Sequence, residues 1–411
     1  MNIQSNILIS WIRIKSQNFT LNCAINYFIV ALAFFIPISK AGTSFVEIML
    51  IFLWFIDGNF RSKLNEVRNN KFILTLLSFV LFSLLSVLWS NNTSFALNYI
   101  FKYWHFFIII IIFTSLDKKY LEYIFSAFLA SMFISEITSY GIFFEFWSYK
   151  NILPSDPSPF MDHTSYSSYL AFTILILAYR ILYTQDIWWK IIYGFYFFSS
   201  MTNLFVNGGR TGQVIFLLSI IIFLFVNSKN KIKAVLYGLV VGLFSHTFKD
   251  RMDYTKFDIE RMLASGDYTG AFTSRVALWQ IGTISALDNP IIGTGIGDEA
   301  FATKKDLENI GLGSYVTTKD NYCRVDYHNN FVQYFVQLGA IGLFIILLLY
   351  YYLWKLNIKE TPYKELKVLF IVIYFLWSMV GPTFHLNNSM VFFVLFASIF
   401  NTLNSSNIKI Q

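Results

Sequence analysis

Charged residues are scarce in this 411-residue sequence, and their scarcity excludes the commonest class of protein. Asp, Glu, Lys and Arg make up 13% of the chain, whereas hydrophobic residues make up 56% and aromatic residues 20%. An ordinary soluble domain carries about 25% charged residues. We therefore expect a protein that crosses a membrane several times.

Cysteines, repeats and metal-binding patterns are also scarce. Two cysteines are too few for a disulfide framework. No internal repeat or low-complexity linker divides the chain, so we predict a single integral membrane domain over residues 1–411. No set of His, Cys, Asp or Glu has metal-ligand spacing, and Asp298-Glu299 alone is insufficient. We therefore expect no metal and no cofactor.

What is abundant is long apolar segments. A spanning helix needs about 20 residues, and segments near that length occur at 22–39, 43–57, 72–89, 96–114, 121–146, 165–184, 188–206, 212–227, 232–247, 331–353, 367–381 and 388–403. They predict an all-α polytopic membrane protein with about twelve transmembrane helices.

The basic residues indicate how these helices are oriented. If the N-terminus is cytoplasmic, eighteen Lys and Arg residues fall on the cytoplasmic side. Only four fall on the opposite side when the longest loop is left out of the count. Cytoplasmic loops of membrane proteins carry such an excess. The net charge of +7 is therefore interpreted as an orientation signal and not as a sign of nucleic-acid binding.

One long polar segment, residues 247–330, separates the ninth and tenth predicted helices. It contains twelve acidic and nine basic residues, and the predicted orientation places it outside the cytoplasm. Within it, SRVALWQIGTISALDNP predicts a short amphipathic helix with Ser274 as the N-cap, Arg275 in the first turn and a stop at Asn289-Pro290. The glycines of GTGIG lack the GxGxxG spacing of a dinucleotide site, and we expect them to turn the loop back to the membrane.

Three basic residues on the outer side are candidates for binding an anionic group. Arg210, in NGGRTG, and Lys102 lie at or inside membrane segments, where a charge costs about 2.5–3.5 kcal/mol at a helix centre. Both have an alternative interpretation as side chains that extend to the interface. Arg275 begins a helix whose first amides also favour anions, and a solvated surface arginine is the alternative interpretation.

Histidines and one asparagine complete the candidate site. His328 precedes a predicted helix on the outer side, and a neutral imidazole can accept a proton near neutral pH. Its neighbour Asn329 is a candidate for substrate binding. His163 is a second histidine on the same side, where it could bind a sugar or cap a helix, and His385 is a third. Hydrogen bonds at the interface are the alternative role for His328.

Three sequence blocks together resemble the O-antigen ligase/polymerase superfamily of bacterial envelope proteins. They are NGGRTGQVIFLL (207–218), SRVALWQIGTISALDNPIIGTGIGDEAF (274–301) and HNNFVQYFVQLGAIGLFIILL (328–348). They are similar in order and spacing to the family's Arg-Thr-Gly, Arg-x-x-x-Trp … Pro-x-x-Gly-x-Gly and His-Asn … Gly-x-x-Gly-Leu blocks. Gln337 departs from this pattern, because relatives often have Glu there.

The resemblance implies a glycosyltransferase of the bacterial inner membrane whose active site faces the periplasm, with the 247–330 loop forming part of it. The donor would be a glycan on undecaprenyl pyrophosphate, held by Arg210 and Arg275, and His328 would be the catalytic base. Our leading interpretation is an O-antigen ligase that uses the lipid A-core as acceptor. An O-antigen or capsule polymerase, a protein O-oligosaccharyltransferase and a lipid-linked glycan transporter are the alternatives.

Overall fold

The structure is a computed structural model that describes residues 20–227, 246–319 and 322–404. Helices dominate it. Before the long loop, the α-helices are α1 (Leu21–Phe35), α2 (Lys40–Asp57), α3 (Phe60–Arg68), α4 (Lys71–Leu85), α5 (Thr93–Phe101), α6 (Trp104–Ser115), α7 (Leu121–Phe143), α8 (His163–Tyr183), α9 (Ile187–Val206) and α10 (Arg210–Asn227).

The polar segment carries secondary structure of its own. It contains α11 (His246–Ser265), α12 (Thr273–Ala286), α13 (Glu299–Asn309) and an antiparallel hairpin of β1 (Val316–Lys319) and β2 (Tyr322–Val325). The chain then returns to apolar helices: α14 (Asn330–Lys355), α15 (Tyr363–Ser378) and α16 (Asn387–Thr402). The predicted segment 232–247 lies almost entirely outside the described residues.

The lengths and compositions of these helices fit a multi-pass membrane protein. Among the residues that the structure describes, five helical stretches are long and apolar enough to cross a membrane, or six if the bent pair α2–α3 forms one span. The five are Lys71–Trp89, Thr93–Ser115, Lys118–Phe143, His163–Tyr183 and Asn330–Lys355. The number of twelve spans remains a prediction.

Polar side chains set where several apolar helices begin. The side-chain oxygens of Thr20, Ser39, Asn70, Asn92 and Asp162 each accept a hydrogen bond from a backbone N–H in the first turn of the helix that follows. Such N-caps satisfy donors that have no partner within the helix. These caps therefore fix where the helices start, which the apolar composition of the chain alone would not do.

Helix α8 is the centre of the membrane-embedded bundle. In this stretch 89% of the most apolar window is buried, and the helix packs against α9, α10 and α15. Helix α16, which is also almost wholly buried, packs against α6, while α4 packs against α14. A second, smaller core lies in the loop, where residues of α12 and α13 surround Tyr327 and Val336.

The short loop helix differs in one detail from its prediction. It begins at Thr273 and not after Ser274, whose predicted N-cap role is therefore wrong. The Ser274 hydroxyl is buried and accepts a hydrogen bond from the Tyr315 hydroxyl at 3.0 Å. The Ser274 hydroxyl oxygen, which the sequence predicted to cap α12, instead joins α12 to the turn before β1.

Candidate functional site

The glycine turn before α10 brings Arg210 close to the start of α8. A Cβ on Gly209 would lie 2.5 Å from the carbonyl oxygen of His163, and a Cβ on Gly212 would lie 2.3 Å from the Cβ of Ser167. Only residues without a side chain allow this approach. Arg210, the exposed first residue of α10, is therefore held beside His163, the first residue of α8.

Asp156 connects these two helix starts, and the sequence had not singled it out. Its Oδ2 lies 3.2 Å from His163 Nδ1, and its Oδ1 accepts hydrogen bonds from the Gly208 N–H at 3.2 Å and the Ser158 hydroxyl at 3.1 Å. The hydrogen bond from His163 holds the pKa of the Asp156 carboxyl below its usual value. Asp156 therefore fixes both the imidazole and the turn that leads to Arg210.

Arg275 reaches the same region from the loop. It lies half-buried in the first turn of α12, and its guanidinium is near enough to the His163 imidazole to act on it electrostatically. Arg210, His163 and Arg275 come from α10, α8 and α12. The glycine turn brings the starts of α10 and α8 together, and the charge of Arg275 acts on the His163 imidazole from the first turn of α12. A concentration of positive charge at helix N-termini is a suitable environment for an anionic group.

His328 lies just before α14 and has an unusual backbone conformation. Its φ of 48° lies in the left-handed region, which is uncommon for residues other than glycine and often occurs at functional positions. Its N–H donates to Asp326 Oδ1 at 2.8 Å, and its Nδ1 lies 4.0 Å from the same oxygen. About one third of the side chain is exposed, so a substrate hydroxyl can reach the imidazole.

Asn329 is already engaged in the protein. Its Oδ1 caps α14 by accepting hydrogen bonds from the N–H groups of Phe331 at 2.9 Å and Val332 at 3.1 Å. The side chain is 8% exposed. A contact from Asn329 to a sugar would therefore have to use the amide nitrogen.

Lys102 lies in a second cluster, at the break between α5 and α6. Its Nζ donates to His385 Nε2 at 3.1 Å, and the imidazole of His385 stacks on Tyr99 with 3.9 Å between ring centroids. The next contact leads to α14, because the N–H of Phe384 donates to Asn330 Oδ1 at 3.3 Å. Lys102 is thus linked to the His328 side of the site through the turn before α16.

Two adjacent buried carboxylates attach the loop to the membrane helices. Asp298 accepts hydrogen bonds from the Ser90 hydroxyl and the Asn92 N–H, both at 3.1 Å, and from the Asn91 N–H. Glu299 Oε2 accepts a hydrogen bond from Gln337 Nε2 at 2.7 Å. Both side chains are almost fully buried. In the described part of the chain, no group of three or more His, Cys, Asp and Glu residues is arranged to hold a metal.

The closest join between loop and membrane helix lies where α14 is broken at Gly339. Gly339 has φ 63° and ψ −163°, so the N–H groups of Ala340 and Ile341 turn away from their own helix. They donate to the carbonyls of Pro290 and Ile291 at 2.8 and 3.2 Å. In exchange, the carbonyls of Val336 and Gln337 accept from the N–H groups of Thr294 and Gly295 at 2.9 and 3.0 Å.

This exchange replaces the two hydrogen bonds that a continuous helix would form between residues 336–337 and 340–341. Gly293 permits the close contact, since a Cβ there would lie 2.4 Å from the carbonyl carbon of Gln337. The glycines turn the loop onto α14, a helix long enough to cross a membrane, and the predicted return to the membrane itself stays a prediction. The sequence did not indicate that a membrane helix opens to receive the loop.

A comparison with known families covers part of this arrangement. Residues 195–347 match the family model described as O-antigen ligase. This part of the chain belongs to the O-antigen ligase superfamily. The O-antigen ligase match spans Arg210, Arg275 and His328 and includes the break in α14, whereas Lys102, Asp156 and His163 precede it. It confirms the resemblance carried by the three sequence blocks. No curated protein matches the chain.

Proposed function

We propose that the protein is an O-antigen ligase, transferring a glycan from undecaprenyl pyrophosphate to a sugar hydroxyl of the lipid A-core. The observation that carries the proposal is the family match over a region that contains Arg210, Arg275 and His328. A pyrophosphate needs several positive groups, and arginine binds phosphate oxygens with two parallel hydrogen bonds. Arg210 and Arg275 supply such groups.

The proposed reaction is a direct displacement without a metal. His328 takes the proton of the acceptor hydroxyl, and the hydroxyl oxygen attacks the anomeric carbon of the donor sugar. The bond from that carbon to the pyrophosphate oxygen breaks, and undecaprenyl pyrophosphate leaves with the electron pair. Arg210 and Arg275 stabilise the charge that develops on it. Attack opposite the leaving group inverts the anomeric centre.

The remaining polar residues then have positioning roles. His163, oriented by Asp156, is placed to contact the sugar next to the pyrophosphate. Asn329 holds the start of α14 and offers its amide nitrogen to the acceptor. Lys102, paired with His385, adds positive charge on the side where the acceptor enters.

The proposed topology has twelve spans, both termini in the cytoplasm of the bacterial inner membrane and residues 247–330 in the periplasm. It is supported by the excess of basic residues in the predicted cytoplasmic segments. Reporter fusions at Ser228 and Gly313 should lie on opposite sides of the membrane. Reporters on one side would show that the segment between them does not cross.

Deletion in the host, followed by gel analysis of lipopolysaccharide, tests the reaction. A ligase deletion should remove all polymer from the lipid A-core while the lipid-linked donor accumulates. A core that carries one repeat unit would instead identify a polymerase of the same superfamily. Loss of the polymer with the donor retained on the cytoplasmic leaflet, instead of the periplasmic one, would identify a transporter.

Transfer by purified protein tests the base. General-base assistance contributes about 10²–10⁴-fold to rate, so His328→Ala should lose transfer by that factor while donor binding and protein level are retained. His163→Ala is the matched control and should lose less. Full turnover by His328→Ala would reject the base assignment, and inhibition by a chelator would reject the metal-independent reaction.

A further inference from the structure

The end of α12 and the loop that follows it expose large apolar side chains where a polar loop would be expected to expose polar ones. Leu287 is 62% exposed and Ile291 is 65% exposed, and Ile284 and Ile292 are also exposed. We call these four side chains the apolar loop patch. Burying a side chain of this size stabilises a protein by about 1.5–3 kcal/mol relative to its exposure to water, so an apolar environment around the patch would stabilise the protein.

The backbone of this patch is attached to a helix that is long enough to cross the membrane. The carbonyl of Ile291 accepts from the N–H of Ile341, and the carbonyl of Pro290 accepts from the N–H of Ala340. These hydrogen bonds fix Ile291 at the level of residues 340–341 along α14. The depth of the patch therefore follows from the depth of the break.

The length of α14 places the break below the membrane surface. From Ala340 to its end at Lys355 the helix has sixteen residues, or about 24 Å at about 1.5 Å per residue. The hydrocarbon core of a bilayer is about 30 Å thick. If Lys355 lies at one boundary, the opposite boundary lies about 6 Å beyond Ala340, toward Asn330. Ile291 is then inside the hydrocarbon region.

The patch also continues a lipid-facing stripe. Ile341, Phe344, Leu347 and Tyr351 of α14 are all exposed large hydrophobic residues, and their spacing of three or four places them on one helix face. Ile341, at the top of this stripe, is hydrogen-bonded through its backbone to Ile291. The stripe and the patch therefore form one apolar surface.

We infer that the apolar loop patch lies in the bilayer, against the acyl chains of the leaflet at the Asn330 end of α14. Irregular backbone is tolerated at this depth only where its polar groups are satisfied, and α14 supplies donors for the carbonyls of Pro290 and Ile291. Asp288 and Asn289, which are exposed between Leu287 and Ile291, lie at the level of the headgroups. The polar loop thus contains a segment that re-enters the membrane.

The test measures which environment surrounds Ile291 and does not depend on the proposed reaction. Full-length protein carrying Cys23→Ser and Cys323→Ser receives a single Ile291→Cys or Ile292→Cys, and an environment-sensitive fluorophore is attached. The labelled protein is placed in vesicles of phosphatidylethanolamine and phosphatidylglycerol. Lys305→Cys is the matched control, because it is exposed on the polar helix α13 of the same loop.

Lipids with a quencher on the acyl chain should reduce emission at positions 291 and 292, and aqueous iodide should have little effect there. At position 305 the two quenchers should have the opposite effects. Quenching at 291 and 292 by iodide to the same extent as at 305 would overturn the proposal. Protection from both quenchers would also overturn it, because protein, such as a second copy of this chain, would then cover the patch.

Discussion

Replacing Gly339 with alanine should separate the loop from α14. The φ and ψ of Gly339 are 63° and −163°, a combination that is essentially restricted to glycine and costs another residue about 1–3 kcal/mol. The added Cβ would lie 2.4 Å from the carbonyl carbon and oxygen of Ile291 and 2.6 Å from the amide nitrogen of Gly293. These are backbone atoms that side-chain rotation cannot move.

The same substitution favours the competing state, in which α14 is a continuous helix. Alanine is more favourable than glycine within a helix by about 1 kcal/mol. A continuous helix would also form its own hydrogen bonds between residues 336–337 and 340–341. Together, strain and helix propensity shift the balance by about 2–4 kcal/mol, so the ratio of docked to undocked loop should fall about 30–700-fold.

Hydrogen exchange reports this change directly. The amides of Thr294 and Gly295, which donate to α14 in the docked state, should exchange faster in Gly339→Ala, and glycan transfer should fall with them. Gly194→Ala in α9 is the matched control, since its added Cβ would have no atom within 4 Å. If Gly339→Ala keeps both the slow exchange and the transfer rate of this control, the hydrogen-bond exchange at the break does not hold the loop.

Three further substitutions test individual contacts. Asp156→Asn removes the charge beside His163. Because the pKa of Asp156 is lowered in the folded protein, the stabilisation from its carboxylate is present above about pH 4 and is lost as pH falls through the lowered pKa. The difference in melting temperature between wild type and variant should therefore shrink in acid. An equal difference at every pH would contradict this. Gln337→Glu places a second carboxylate against Glu299 and should destabilise the protein by about 1–3 kcal/mol. The double variant with Glu299→Gln should regain the wild-type melting temperature. Additive losses in the double variant would show that the two side chains are not coupled. Arg275→Lys should lose nearly as much transfer as Arg275→Ala, because an ammonium group cannot form the paired hydrogen bonds of a guanidinium. Wild-type transfer by the lysine variant would show that only the positive charge at position 275 matters.

The helices and the basic site residues could be predicted because their signals are local. Apolar runs locate helices wherever they are long enough, and α8, α9 and α14 begin and end within a few residues of the predicted segments. Arg210 and His328 stand next to such runs, so their placement at helix starts followed from the sequence.

The contacts that complete the site could not be predicted, because their partners are distant along the chain. Asp156 contacts Gly208, 52 residues later, and Lys102 contacts His385, 283 residues later. The break in α14 is equally hidden, since Gly339 lies inside a single predicted apolar segment, 331–353. What opens the helix there is a set of hydrogen bonds to residues 290–295, and no periodicity within α14 contains that information.

The hydrogen bonds of Asp298 have a consequence for the order in which the protein is assembled. Asp298 and Ser90 are 208 residues apart, so at about 5–20 residues per second the carboxylate leaves the ribosome about 10–40 s after the hydroxyl that it binds. Until then, the N–H groups of Asn91 and Asn92, which donate to Asp298 in the folded protein, have only water as a partner. The loop can dock only after both this turn and α14 have been inserted, and the site is therefore among the last parts of the protein to form.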